Sequence, residues 1–358
     1  MRGLLMIVYT VITSYFIGIF ITLPMYLFGL FTPFKKFSKD FCLYSQHIMM
    51  NNISCFYQDI LGLPLYLYGD KIENKGSNIF IMNHRSSLDF LYLISLLTHT
   101  TDPEKIKYVM KSELKYIPSL GWLTFINDFP LLERKYETDK KCLNNIGKME
   151  DEVNILIFPE GTRFSKQKLE DSNKYSIANN YPQFFNVLLP KSKGLHNIFV
   201  SMMDNNKLTN IYDLTIKYDG INIKDAHTAS DVIFKDDIKS IHVLSRKIDL
   251  SELSYNQEKF KFWLHKLFLE KDIILQSNIE SWKKSYPYKK LNKKINYIWL
   301  LLVIIYTLCC IILLFKSKSF KYYNLIIIIL GSIIVYKNIG KEKSSKKIKD
   351  KKILVLNC

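Results

Sequence analysis

Asn78-Ile79-Phe80-Ile81-Met82-Asn83-His84-Arg85-Ser86-Ser87-Leu88-Asp89 is the stretch from which the rest of the chain becomes readable. A short apolar run ends in a turn-like Asn-His, and residues 88–97 then carry apolar side chains at helical spacing. A strand feeding a helix so abruptly belongs to an alternating α/β body. Further strands are expected at 108–110, 155–158, 187–189, 211–216 and 241–244, with helix-compatible stretches at 137–151 and 257–275. That alternation predicts a mixed, mostly parallel sheet flanked by helices.

Apolar sequence brackets this body. Residues 3–34 carry no charge, and two more apolar runs cover 297–315 and 322–336. The first is too long for a signal-peptide core. A helix of 32 residues would measure roughly 48 Å against a hydrocarbon core of about 30 Å, so it is expected to tilt or to break near Pro24. The two later runs are expected to form a hydrophobic hairpin. Lys35, Lys36 and Lys39 follow the first run, Lys283, Lys284, Lys289, Lys290, Lys293 and Lys294 precede the second, and a Lys-rich tail follows the third. The positive-inside rule then puts the body and tail on the cytosolic side of an integral membrane protein, with the endoplasmic reticulum as the expected membrane. Tyr297 and Trp299 fit interfacial anchors.

The expected organisation is an N-terminal membrane segment (1–40), a catalytic domain (41–275), a basic linker (276–294), two hydrophobic segments (295–336) and the tail (337–358).

Composition excludes several classes. The 358 residues hold 50 Lys+Arg against 33 Asp+Glu, a net charge of +17. With 23 Tyr and 23 Phe the chain is too aromatic for a disordered polymer, and 13 Gly with 10 Pro are too few for a collagen-like one. The basic excess lies beside the apolar runs, which favours a membrane over a nucleic-acid partner. Six cysteines without C-x-x-C spacing make neither a disulfide scaffold nor a zinc motif, and Cys358 completes no C-a-a-X box. The histidines other than His84 lack ligand-like spacing, so no metal is expected.

Two motifs carry chemistry. His84 and Asp89 stand five apart at the strand-to-helix junction, where Ser86 or Ser87 can cap the helix and Asp89 falls in its first turn. A His just outside that turn can fold back onto the carboxylate, which fixes its tautomer and leaves the other ring nitrogen to take a proton from an alcohol. The second motif, Phe158-Pro159-Glu160-Gly161-Thr162-Arg163, follows the next strong strand. Such strand ends hold the ligand sites of α/β sheets. Gly161 permits close backbone approach, and Arg163 offers a forked phosphate donor.

Asn83-His84-x4-Asp89 followed by Phe158-Pro159-Glu160-Gly161-Thr162-Arg163 resembles the glycerolipid acyltransferase family, which includes 1-acylglycerol-3-phosphate acyltransferases. The resemblance extends to Lys111-Ser112-Glu113-Leu114 with Ile117-Pro118 and Gly121-Trp122, to Glu133-Arg134-Lys135-Tyr136-Glu137, and to Leu188-Leu189-Pro190-Lys191. Ile211-Tyr212-Asp213-Leu214-Thr215 and Trp263-Leu264 with Lys271-Asp272 are similar to a clade holding lysophosphatidic acid, lysophosphatidylinositol and lysocardiolipin acyltransferases. It covers residues 1–336 and implies a glycerolipid-acyltransferase-like fold.

The implied reaction moves an acyl group from acyl-CoA, a co-substrate rather than a cofactor, to the free hydroxyl of a lysophospholipid. His84 is the implied base and Asp89 its orienter. Arg163, Arg134 and Lys111 are the implied phosphate ligands, and Glu160, with Gly161 and Thr162, shapes that pocket or binds a glycerol hydroxyl. The lipid bilayer is the expected partner, and no nucleic acid is. Lysophosphatidic acid is the first-choice acceptor, with lysophosphatidylinositol and lysocardiolipin as rivals. A CoA-independent transacylase and a non-catalytic membrane scaffold are the other readings.

Overall fold

The computed structural model describes residues 2–86, 88–117, 119–221, 237–291 and 297–333. Ser87, Pro118, Lys293, Lys294 and the Lys-rich tail lie outside the described residues, as do the side chains of Tyr297 and Trp299. The chain divides into two compact units. The first is Met1–Thr10, His47–Lys111 and Pro130–Leu300, and the second is Val11–Gln46, Ser112–Phe129 and Leu301–Cys358.

The first unit is built on a seven-stranded sheet. Its strands are β1 (Leu65–Gly69), β2 (Ser77–Met82), β3 (Ile106–Tyr108), β6 (Asn154–Ile157), β7 (Leu208–Asp219), β8 (Ser240–Ile248) and β9 (Tyr288–Lys290), in the order β3-β6-β2-β7-β8-β1-β9. A separate pair joins β4 (Met110–Lys111) to β5 (Leu131–Leu132). Within the large sheet β3-β6, β6-β2, β2-β7 and β8-β1 run parallel, while β7-β8 and β1-β9 run antiparallel. The mixed, mostly parallel sheet expected from sequence is therefore present. Every residue of β2 and β6 is buried, as a sheet covered on both faces requires.

Register in the centre is set by buried amides. Asn78 donates to Asn154 at 2.8 Å and accepts from Asn210 at 2.9 Å, so one asparagine ladder crosses β6, β2 and β7. A one-residue slip would break both bonds and turn apolar faces toward the wrong layer. Because these strands are parallel, their C-terminal ends open on one edge. There β2 delivers Asn83-His84 and β6 delivers Phe158 to Thr162.

On one face of the sheet, Ile79, Ile81, Ile155 and Ile211 pack against Leu195, Ile198, Phe199, Phe260, Leu264 and Phe268. The latter six come from helices Ser192–Asp204 and Gln257–Gln276. Asn256 caps the longer helix by accepting from the N–H groups of Glu258 and Lys259.

Several sequence expectations need correction. Residues 187–189 are not a strand. Their N–H groups go instead to Asp272, Glu160 and the Ser172 hydroxyl, which makes the stretch a clamped loop. The 108–110 run splits between β3 and β4. β1 was not anticipated, and β9, with helix Ile279–Ser285, occupies what reads as a basic linker. Ser86 does not cap its helix: its hydroxyl accepts from Leu88 N–H, and Leu88 stands at the N-cap.

The second unit is helical. Gly3–Phe31, of which residues 11–31 belong to this unit, is one helix of 29 residues, long and apolar enough to cross a membrane. It does not break at Pro24. A π segment, Gly18–Thr22, absorbs the proline just beyond it, with Leu23 N–H bonded to Gly18 O and the Thr22 hydroxyl to Ile17 O. Ile19, Leu23, Trp122 and Ile327 form its core. Small residues let these segments approach: a Cβ on Gly18 would meet Ser119 Oγ at 2.2 Å. The Ser119 hydroxyl in turn bonds the Ser14 carbonyl. Close packing through Gly and Ser, with hydroxyls on carbonyls, is how helices associate in lipid. The C-terminal runs form helices Tyr297–Lys316 and Lys318–Ile333, and the second is set at 108° to the first across Ser317.

Candidate active site

His84 Nδ1 lies 2.8 Å from Asp89 Oδ2. The same oxygen accepts the backbone N–H groups of Arg85 at 2.6 Å and Ser86 at 2.9 Å. The sharp exit from β2 thus folds the chain around the carboxylate, which begins the helix Asp89–Thr100, here α4 after α1 (Arg2–Ile17), α2 (Leu23–Phe31) and α3 (Lys35–Cys55). The other oxygen, Oδ1, takes the hydroxyl of Tyr218 from β7. Asp89 is fully buried while the His84 side chain keeps 22% of its surface open. A carboxylate held by three donors takes the Nδ1–H of His84 and leaves Nε2 with its lone pair. The imidazole stacks on Phe158 at 4.3 Å. Asn83 bonds the backbone of Ile216 through both amide groups, which pins the turn to β7.

The two motifs are joined by Glu160. One carboxylate oxygen accepts His84 N–H at 2.7 Å and the other Leu188 N–H at 3.0 Å. Phe164 N–H adds a bond to His84 O. Burial pushes the Glu160 carboxyl up to about 7, against the pull of its two N–H donors. With both oxygens on backbone donors and only 2% of the residue exposed, Glu160 shapes the turn from beneath.

Arg134 donates to Gly161 O at 3.2 Å. Gly161 adopts φ +68°, so its conformational freedom is used here. Lys168 donates to the Thr162 hydroxyl at 2.7 Å and to Arg163 O at 3.2 Å. Its pKa is pushed down, first by burial and then by the charges of Arg163, Lys111 and Arg134. Hydrogen bonds thus put Arg134 and Lys168 on the Gly161–Arg163 turn, and the charges of Arg163 and Lys111 also act on Lys168. The only sequence signal for Lys168 is a lysine in the first turn of helix Lys166–Ala178 with no acid beside it.

The buried Asp272 carboxylate accepts the N–H groups of Phe185, Asn186 and Val187, and Asn186 O accepts Arg85 Nη1 at 2.9 Å. The Arg85 guanidinium also lies 4.2 Å from the centre of the Phe164 ring. Asp213 on β7 pairs with Lys271 at 2.6 Å and Arg246 at 2.8 Å. Lys271 has no exposed surface, and burial pulls its pKa down. The sequence assigns no catalytic role to Tyr218, and Asp213, Lys271 and Asp272 enter it only through the clade resemblance. No local spacing connects Tyr218 to Asp89, which lie 129 residues apart.

Residues 65–219 match the Acyltransferase family. The chain is 29% identical over 258 residues to "Probable 1-acyl-sn-glycerol-3-phosphate acyltransferase 5" of Arabidopsis thaliana, covering 70% of this chain and 67% of that one. It is 25% identical over 224 residues to lysocardiolipin acyltransferase 1 of Mus musculus, covering 62% and 59%. The chain thus spans 59–67% of the length of these relatives. The crystal structure of the 1-acyl-sn-glycerophosphate (LPA) acyltransferase PlsC from Thermotoga maritima aligns at a TM-score of 0.45 and 15% identity, covering 78% of this chain and 100% of that one. The matched span, residues 65–219, holds both motif turns, so the family match and the sequence resemblance fall on the same residues.

Proposed function

We propose that this protein is a membrane-embedded O-acyltransferase that moves an acyl chain from acyl-CoA to the free hydroxyl of a lysophospholipid, with 1-acylglycerol-3-phosphate as acceptor. The observation that carries the reading is the His84–Asp89 pair at the open edge of the sheet, joined through Glu160 to a turn that Arg134 and Lys168 contact. His84 Nε2 takes the proton of the acceptor hydroxyl, and the oxygen attacks the thioester carbon. The C–S bond then breaks, and the imidazolium returns the proton to the CoA sulfur. Asp89 stabilises the imidazolium between these steps. No acyl-enzyme is needed, and no cofactor enters.

Arg163, Arg134 and Lys111 hold the acceptor phosphate, and Gly161 and Thr162 form the backbone beneath it. The Gly3–Phe31 helix supports a membrane setting, since it is long and apolar enough to span. The lysines flanking the apolar runs support a cytosol-facing site, with the endoplasmic reticulum as its membrane. The lysocardiolipin relative keeps that acceptor, and lysophosphatidylinositol with it, as the second reading.

The test incubates membranes containing the protein with labelled oleoyl-CoA and a panel of lysophospholipids, with His84→Ala alongside. Label in one diacyl product, absent with the variant, is the expected result. Transfer that persists in His84→Ala, or transfer only from a diacyl donor without CoA, would overturn the reading.

A further inference from the structure

Lys168 is costly where it stands. The first turn of its helix, the 13-residue Lys166–Ala178, contains no acid, and the positive end of a helix dipole disfavours a cation. Its ammonium reaches back across the Gly161-Thr162-Arg163 turn to two neutral acceptors, the Thr162 hydroxyl and Arg163 O. No carboxylate among the described residues pairs with Lys168, Lys111 or Arg134. Arg134 is held at φ +61°, a left-handed conformation that a non-glycine residue adopts only under constraint, with its guanidinium on Gly161 O. A Cβ placed on Gly161 would meet the Lys191 ammonium at 3.6 Å. Like charges are therefore crowded around one turn on a strained backbone, and folding alone gains nothing from that. A preformed site for a highly charged anion accounts for it.

We propose that Lys168 is the fourth arm of this cradle, with Lys111, Arg134 and Arg163, and that it selects a phosphate monoester acceptor over a phosphodiester. The inference rests on the acyltransferase reading above and sharpens it. Near pH 7 a monoester carries a charge of roughly −1.5 to −2 on three unesterified oxygens. A diester carries one charge on two such oxygens. The fourth cation matches the extra charge and the extra oxygen of the monoester. It has no counterpart on a diester, whose ester-linked oxygen and head group point into the same space. Lysophosphatidic acid is a monoester; lysophosphatidylinositol and lysocardiolipin are diesters.

The experiment uses the full chain in mixed micelles with oleoyl-CoA and three acceptors: 1-oleoylglycerol-3-phosphate, its methyl phosphodiester, and 1-oleoylglycerophosphoinositol. The wild type should favour the monoester at least tenfold in kcat/KM over the methyl diester. Lys168→Met should cut that ratio at least fivefold, through a raised KM for the monoester, and Lys168→Arg should restore it. A circular-dichroism melt checks that each variant is folded. A wild type that uses either diester as well as the monoester overturns the inference while leaving the acyltransferase reading standing. A Lys168→Met protein that loses the same factor on every acceptor also overturns it, since Lys168 would then only brace the Thr162 turn. A folded wild type that acylates none of the three, nor any other lysophospholipid, overturns the parent reading and this inference with it.

Discussion

Glu160 makes stability depend on pH in a direction opposite to an ordinary salt-bridged carboxylate. Its pKa stands near 7 in the folded protein against 4.5 in the open chain. The folded state therefore holds its proton more tightly than the unfolded state. Stability from this group is complete below about pH 4.5 and is lost as pH rises through about 7. The shift is 7 − 4.5 = 2.5 units. At ~1.36 kcal/mol per unit the loss across that window is about 3 kcal/mol. Glu160→Gln abolishes the titration. Its amide oxygen keeps one of the two backbone donors, His84 N–H or Leu188 N–H, and leaves the other facing an NH2 group. That mismatch costs about 1–3 kcal/mol at every pH. The variant should thus be the weaker protein at pH 4.5 and should close or reverse the gap by pH 8. The assay is urea unfolding of both proteins in one mild detergent at half-unit pH steps. Taking the difference between them cancels every other titrating group, Asp272 included. That difference should move by about 3 kcal/mol in favour of Glu160→Gln across the window. Parallel curves would refute the reasoning, because they would mean that Glu160 stays ionised in the fold.

Three further outcomes are expected. Tyr218→Phe removes the hydroxyl that bonds Asp89 Oδ1, a bond to a charged group worth about 1.5–3 kcal/mol. It should lower kcat about tenfold or more with little change in the KM for acyl-CoA, and an unchanged kcat would show that the hydroxyl only fills space. Asp272→Ala orphans the N–H groups of Phe185, Asn186 and Val187 and should cost about 3–5 kcal/mol in unfolding free energy. Asp272→Asn should recover part of this, and a loss under about 1 kcal/mol would place those donors on water instead. Asp213→Asn strands the fully buried Lys271 and should cost about 3–5 kcal/mol. Lys271→Met should cost less, because Arg246 still pairs with Asp213; the reverse ranking in thermal melts would discard the network as drawn.

What the sequence by itself determined is what short range controls. His84 meets Asp89 because five residues across a strand-to-helix turn bring a ring back onto the first helical turn. The Glu160-to-Arg163 turn follows β6 directly, and the 29-residue apolar helix is legible as a composition. Each of these depends on neighbours within a turn or two. Tertiary structure decided the rest. The strand order puts β2 between β6 and β7, and only that order lets Glu160 hold the His84 turn and Tyr218 reach Asp89. The apolar stretch at 187–189 reads as a strand, yet side chains from distant segments claim its N–H groups before any ladder can. Pro24 reads as a break, yet a π turn absorbs it. Lys168 and Tyr218 looked ordinary because their partners are chosen by register and strand order. Contacts that close long loops depend on the whole arrangement of the sheet, and residue spacing alone does not carry that information.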